Sequence, residues 1–276
     1  MTRSLKARRV RNICALLLLA VSAVIAIYLQ STSLRDTARF SGWCLMGLVV
    51  FLSLYNLRKK LAFLPIGSSS LWLQVHIYLG LFSGVLFLLH MDWEFPSGSF
   101  DTVLAELFLL VFFSGVLGLA ISRSFAKRMT IRGDEVIYER IPVLRRQIQI
   151  EVERLAMEGL TSHGTSTIAT FYRDRLLVFL KSSRNFWQHL VHSTKAIHDL
   201  LNAIEEQKRF LSDADKEILE QIALLTKQKD NLDYHFALQS TLKYWLFIHV
   251  PLTYALLVFV AFHLLLVHAF SGGSSS

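Results

Sequence analysis

Five apolar stretches run through the chain, at residues 13–30, 42–55, 71–90, 103–121 and 244–270. About 20 apolar residues in a helix cross a ~30 Å hydrocarbon core, so the pattern predicts five membrane-spanning helices. The second stretch is the shortest and borrows from Phe40 and Leu57 at its ends. A long polar segment separates the fourth stretch from the fifth. The expected fold class is therefore an all-α membrane protein: a five-span helical bundle with a mainly helical cytoplasmic insert between spans four and five. In domain terms, residues 1–122 hold four transmembrane helices, 123–240 the insert, 241–270 the fifth helix, and 271–276 a flexible Ser/Gly tail.

Within the insert, residues 129–140 place two short β-type runs around an Arg-Gly-Asp-Glu turn and predict a small hairpin. Pro142 can open a helix whose apolar positions Leu144, Ile148, Val152 and Leu155 lead to a stop at Gly159. Residues 161–167 read as a loop. Further helical patterns follow, one through Ile168, Phe171, Leu176 and Phe179 and one over 187–211. Ser212 or Asp213 caps a last helix, with Ile218, Ile222, Leu225, Leu232 and Phe236 as its stripe, and this helix is expected to run on into the fifth span.

Charge fixes the orientation. Arg3, Lys6, Arg8, Arg9 and Arg11 precede the first span, which is longer than a signal-peptide core and has no A-x-A site after it, so it is expected to stay as an anchor. A cytoplasmic N-terminus puts these cations inside, together with Arg58, Lys59, Lys60, Arg123, Lys127, Arg128 and Arg132, and leaves only Arg35 and Arg39 outside. Five spans then place the C-terminus outside. The localisation expected is a bacterial-type inner (plasma) membrane, crossed several times.

Composition agrees: 53% of residues are hydrophobic and only 18% charged, which excludes an ordinary soluble enzyme. Most of the net +8 flanks the spans, so it is an orientation signal, and no nucleic-acid partner is expected. Cys14 and Cys44 lie far apart in apolar runs, which excludes a disulfide framework, a C-x-x-C site and c-type haem attachment. The insert carries no G-x-G-x-x-G, P-loop or G-x-S-x-G sequence and reads as a docking platform. Its histidines, His163, His189, His192, His198 and His235, read as surface or interface residues.

Four other histidines are harder to explain as surface groups. His76 and His90 lie in the third span, His249 and His263 in the fifth, and both separations are 14 residues. Fourteen residues rise about 21 Å and turn to within about 40° of four whole turns, so each helix shows two imidazoles on one face, one near each membrane boundary. The two spans run in the same direction, which levels His76 with His249 and His90 with His263. An ionisable group inside a span faces protein, cofactor or water. Opposed imidazoles from two bundle helices are what six-coordinate haem iron needs, and the pattern predicts two b haems. Gly80 and Gly84, with Ser83, are small enough for a porphyrin to lie against the third span. Phe87 on the same face is expected to meet a macrocycle edge or to fill the space between the haems. Ser114, Gly115 and Gly118 add small residues on the fourth span. Pro251 is expected to bend the fifth, with Thr253 satisfying freed backbone groups. Propionates would be met by Arg58, Lys59, Lys60, Arg123 or Lys243 inside and by Arg35 or Arg39 outside.

Trp245-Leu-Phe-Ile-His249-Val-Pro-Leu-Thr-Tyr254, ending at His263, resembles the Trp-x-x-x-His…Tyr…His pattern of ferric-reductase-like transmembrane cytochromes. His76-Ile-Tyr-Leu-Gly80, ending at His90, resembles their other ligand helix and the four-helix core of cytochrome b. The resemblance covers roughly residues 71–123 and 241–268. It implies two b haems, held by His76 and His249 inside and by His90 and His263 outside, which carry electrons across the membrane. The sequence has no His-Pro-Phe-Thr flavin motif and no nucleotide-binding stretch after the last span, so a self-sufficient NADPH-driven reductase is not expected.

The expectation is thus an electron-transfer subunit of an oxidoreductase complex, working between a quinol or periplasmic donor and a partner redox protein of iron–sulfur, flavin or c-type cytochrome kind, with membrane lipid around it. Quinone is a further candidate cofactor, for which His268 and Glu106 are the nearest proton-handling groups, although Glu106 also suits a helix first turn. The second reading is a haem-free membrane scaffold or sensor that acts through its insert. A metal transporter, the third, would call for more carboxylates in the spans than Glu106.

Overall fold

The computed structural model is all-helical, with no strand among the described residues. Those residues are 37–60, 68–132, 136–163, 166–181, 185–209 and 211–271, with isolated positions 14, 18, 21, 22 and 25. The first predicted span, the N-terminal cations, Arg35 and residues 272–276 of the Ser/Gly tail lie outside them, apart from those isolated positions in the span. The helices are α1 (Thr37–Lys60), α2 (Ser69–His90), α3 (Ser99–Ile131), α4 (Ile141–His163), α5 (Ser166–Phe171), α6 (Leu177–Lys181), α7 (Phe186–Leu190), α8 (Lys195–Lys208) and α9 (Asp213–Ser271). A 3-10 turn at Tyr138–Arg140 precedes α4, and a π-helical turn at Tyr172–Leu176 joins α5 to α6.

The chain divides into two compact units, one made of Met1–Ala120 with Trp245–Ser276 and the other of Ile121–Tyr244. Three helices, α2, α3 and α9, are long and apolar enough to cross a membrane. α1 has the length, at 24 residues, but a more mixed composition.

In the membrane-type unit, α1 packs along α2 through the stacked pairs Phe51–Trp72 and Tyr55–His76. Val49, Phe87, Ala105, Phe108 and Leu256 join α1, α2, α3 and α9 in one core. Phe113, Leu117, Phe247, Phe262 and Leu265 point outward and are exposed. Such an apolar outer face is costly in water and natural in lipid. α2 ends at His90 because Asp92 and Trp93 adopt positive φ, 49° and 63°, and reverse the chain. Pro251 does not break α9. The Thr253 hydroxyl donates to the His249 carbonyl at 2.9 Å, whereas the acceptor that Pro251 leaves without its donor is the Phe247 carbonyl.

In the other unit, Ile141, Val152, Leu155, Ile168, Leu176, Leu219 and Ile222 form the core. Several local expectations are corrected here. The hairpin at 129–140 does not form: Met129–Ile131 completes α3 and Tyr138–Arg140 is a 3-10 turn. The reason is tertiary docking. Tyr138 stacks on Phe236 of α9, its hydroxyl meets Ser240 Oγ at 3.2 Å, and Gln239 Nε2 donates to the Val136 carbonyl. α4 runs through Gly159 to His163, since Ile168 packs over the missing side chain. The helix expected at 187–211 is two, parted by residues 191–194, where His192 has φ 63°. Ser212 caps α9, with Oγ accepting from the Asp215 amide at 3.3 Å, and α9 continues for 59 residues, about 88 Å.

Candidate functional site

His90 and His263 face the same cavity. It measures about 630 Å³ and is lined by Phe87, Phe108, Leu256 and Val260, with Arg39, Glu94 and Asp101 among its polar groups. Its size, and its mostly apolar lining with a few converging polar groups, fall within the range of small-molecule and cofactor sites in general. Phe87 stacks on Phe108 with centroids 4.1 Å apart, and the pair joins Leu256 in the core as a wall of the cavity.

Three of the four ligand-candidate rings meet a polar partner through Nδ1. His90 Nδ1 lies 3.2 Å from Ser41 Oγ, and Gly42 leaves room for the same ring, since a Cβ there would sit 2.9 Å from His90 Cε1. His263 donates from Nδ1 to Asp101 Oδ1 at 3.0 Å, with Phe100 stacked nearly parallel to it. His249 Nδ1 meets Ser114 Oγ at 3.0 Å, and its ring stacks on Trp245 at 5.2 Å. His76 rests on Tyr55 of α1, centroids 4.9 Å apart. The carboxylate partner places the proton of His263 on Nδ1, and a partner at Nδ1 orients the ring with Nε2 turned away from it, the arrangement metal-ligating histidines use.

The small residues divide by role. A Cβ at Gly80 would meet nothing within 4 Å, so the backbone is open to a flat ligand there. At Gly84 the Phe112 ring of α3 fills the space, and any side chain at Gly118 would overlap the Trp245 indole. Trp245 Nε1 also donates to the Ser114 carbonyl at 2.8 Å. Ser114 and Gly118 thus seat the aromatic that flanks His249, while Gly115 leaves its Cβ position 3.6 Å from His249 Cε1.

Among the described residues no group of three or more His, Cys, Asp or Glu could hold a metal ion. Two axial imidazoles on a haem need no such cluster, and the donor set at the cavity, two histidines in an apolar chamber, fits a haem. Of the expected propionate partners, Arg39 lines the cavity. Lys243 is engaged by Glu139 at 2.8 Å and by the Tyr138 ring. The side chains of Arg58, Lys59 and Lys60 lie outside the described residues. Glu106 is exposed and does not line the cavity, where the acids are Glu94 and Asp101. His268 lines it, edge-on to Trp43.

Two of the insert histidines depart from expectation. His189 and His235 are buried, 3% exposed each, while His192 and His198 are exposed; the His163 side chain is outside the described residues. His189 lies near Arg132, Lys229 and Arg145, and burial first, then these cations, push its pKa down to about 4. Its Nε2 is 3.7 Å from Asp230 Oδ1, beyond hydrogen-bond reach. Around it, Lys229 binds Asp233 at 2.6 Å and the Phe179 carbonyl, and Arg145 also pairs with Asp233. Arg128 donates to the carbonyls of His189 and Leu190.

Sequence reasoning missed Ser41, Asp101 and Ser114 as partners of the histidines. Asp101 gave one signal, an acid at the mouth of an apolar span, which reads equally as a helix cap. No family model, curated protein or solved structure matches the chain.

Proposed function

We propose that the chain is a di-haem b-type cytochrome subunit that carries electrons across a membrane. The observation that carries this reading is the ~630 Å³ cavity faced by His90 of α2 and His263 of α9. When bound, a b haem supplies one-electron iron chemistry. His90 and His263 would hold the outer haem, with Arg39 at the cavity edge for a propionate; His76 and His249 would hold the inner one, with Gly80 as the open backbone surface. Phe87, Phe108 and Leu256 would give the outer haem an apolar wall, which lowers the local dielectric.

In this reading α1 and the first apolar stretch span the membrane beside α2, α3 and α9. The N-terminus is then cytoplasmic, the C-terminus outside, and the membrane a bacterial-type plasma membrane. The insert docks another subunit or a cytoplasmic redox protein, and a quinol or periplasmic protein is the other partner. Haem analysis of the purified full chain tests the proposal. Two haems per chain and a b-type α-band in the reduced-minus-oxidised spectrum are expected. A folded chain without haem, whose function survives replacement of all four histidines, would establish the scaffold or sensor reading instead.

A further inference from the structure

We infer that Asp101 is a positioning residue for the outer haem, orienting His263 and holding the potential of that haem down. The inference rests on the di-haem reading above and concerns a residue that reading does not use. Asp101 stands in the first turn of α3, and His263 stands 162 positions later in α9. An acid in a first turn often serves only the helix dipole. This one is directed elsewhere: Oδ1 accepts from His263 Nδ1 at 3.0 Å. The helix start has other partners, since Thr102 Oγ1 donates to the Pro96 and Gly98 carbonyls and the Thr102 amide bonds Gly98.

A carboxylate can only accept, so the proton of the imidazole sits on Nδ1 and the lone pair on Nε2. Phe100 lies nearly parallel to the His263 ring, planes 7° apart and centroids 6.5 Å apart. The hydrogen bond at Nδ1 sets the direction in which Nε2 points. Asp101 and His263 both line the cavity. His90 across it has a neutral partner, the Ser41 hydroxyl. His263 is thus backed by a negative charge. A carboxylate behind an imidazole raises its basicity and favours the ferric over the ferrous state.

The test uses the full chain in detergent or nanodiscs, with the outer haem assigned by its loss in His90→Ala. Asp101→Asn keeps the hydrogen-bonding shape and removes the charge. The expected result is two haems retained, with the outer ferric-to-ferrous equilibrium moved at least tenfold toward ferrous, about 59 mV for one electron. The low-spin ferric electron-resonance signal of that haem should move with it, while the inner haem keeps its potential. Asp101→Glu should return the potential toward the wild-type value. An unchanged outer potential and signal in Asp101→Asn overturns the inference and leaves the di-haem reading standing. If Asp101→Asn sheds the outer haem, Asp101→Glu decides: a retained haem near the wild-type potential supports the role, and loss or no recovery overturns it. A wild-type chain with no haem refutes the function proposed above, and this inference with it.

Discussion

Both units carry histidines within their helix packing, partly buried in the membrane-type unit and buried at His189 and His235 of the insert, and their surroundings differ in kind. In the membrane-type unit, His90, His249 and His263 each place Nδ1 against a hydroxyl or carboxylate of another helix, at 3.2, 3.0 and 3.0 Å. In the insert, His189 has no hydrogen-bond partner for either ring nitrogen among the described residues, and burial, then Arg132, Lys229 and Arg145, keep it neutral. A histidine held at one nitrogen is aimed at something with the other. One held at neither fills volume as a neutral ring, and burial leaves it nothing to bind a proton with at ordinary pH. Burial alone therefore does not mark a ligand; at His90, His249 and His263 a hydrogen bond behind the ring accompanies the ligand reading, and at His76 the contact is the Tyr55 ring.

The comparison is broken most directly by deleting a ring from each group. His263→Ala should reduce the haem content of the purified chain from two to one, and His189→Leu should leave two. The check is haem stoichiometry together with the spectrum of the remaining haem. Equal losses in both variants would mean that haem content follows folding, and the distinction between aimed and unaimed histidines would fail.

The next effect is on stability, and it belongs to the insert. In the folded chain His189 titrates at about 4, whereas an unfolded histidine titrates at 6.5. Below 6.5 the unfolded state takes up a proton that the folded state refuses. The contribution of His189 to stability is therefore complete above pH 6.5, falls as the pH drops toward 4, and levels off below. The loss is at most about 3 kcal/mol across that window. Hydrogen exchange of insert amides between pH 7 and pH 4 should show it, and His189→Leu should flatten the curve. A variant as acid-sensitive as the wild type would assign the effect to Asp230, Asp233 or other neighbours.

The spans of α2, α3 and α9 were legible because hydropathy and helical period agree over long stretches, and the unbroken α9 was legible from its Ser212 cap and continuous stripe. The hairpin misreading has a physical cause. Ile131, Val136 and Ile137 are β-branched and locally suit a strand, but Tyr138 and the Val136 carbonyl dock on α9 and override that preference. The ligand partners were out of reach for another reason. Ser41, Ser114 and Asp101 sit 49, 135 and 162 positions from the rings they orient, and no period or spacing links them. His189 reads from the sequence as a surface or interface group because no carboxylate or Cys completes a metal site with it and His192. The Arg128 contacts to the His189 and Leu190 carbonyls, which tie α7 down, are equally non-local.

The smallest expected effect sharpens the comparison most, because it removes one hydrogen bond and little else. Ser114 makes two contacts to α9. Its hydroxyl meets His249 Nδ1, and its backbone carbonyl accepts from the Trp245 indole. Ser114→Ala deletes the first and keeps the second, so Trp245 stays seated over Gly118 and the packing of α3 on α9 is preserved. A net hydrogen bond of this kind contributes about 1 kcal/mol, or roughly fivefold in an equilibrium constant. Haem titrated into the haem-free chain should therefore bind the inner site about fivefold more weakly in Ser114→Ala, with the outer site unchanged. If the inner affinity holds, His249 is positioned by its stack on Trp245 alone, and the hydrogen bond behind the ring is not what aims it.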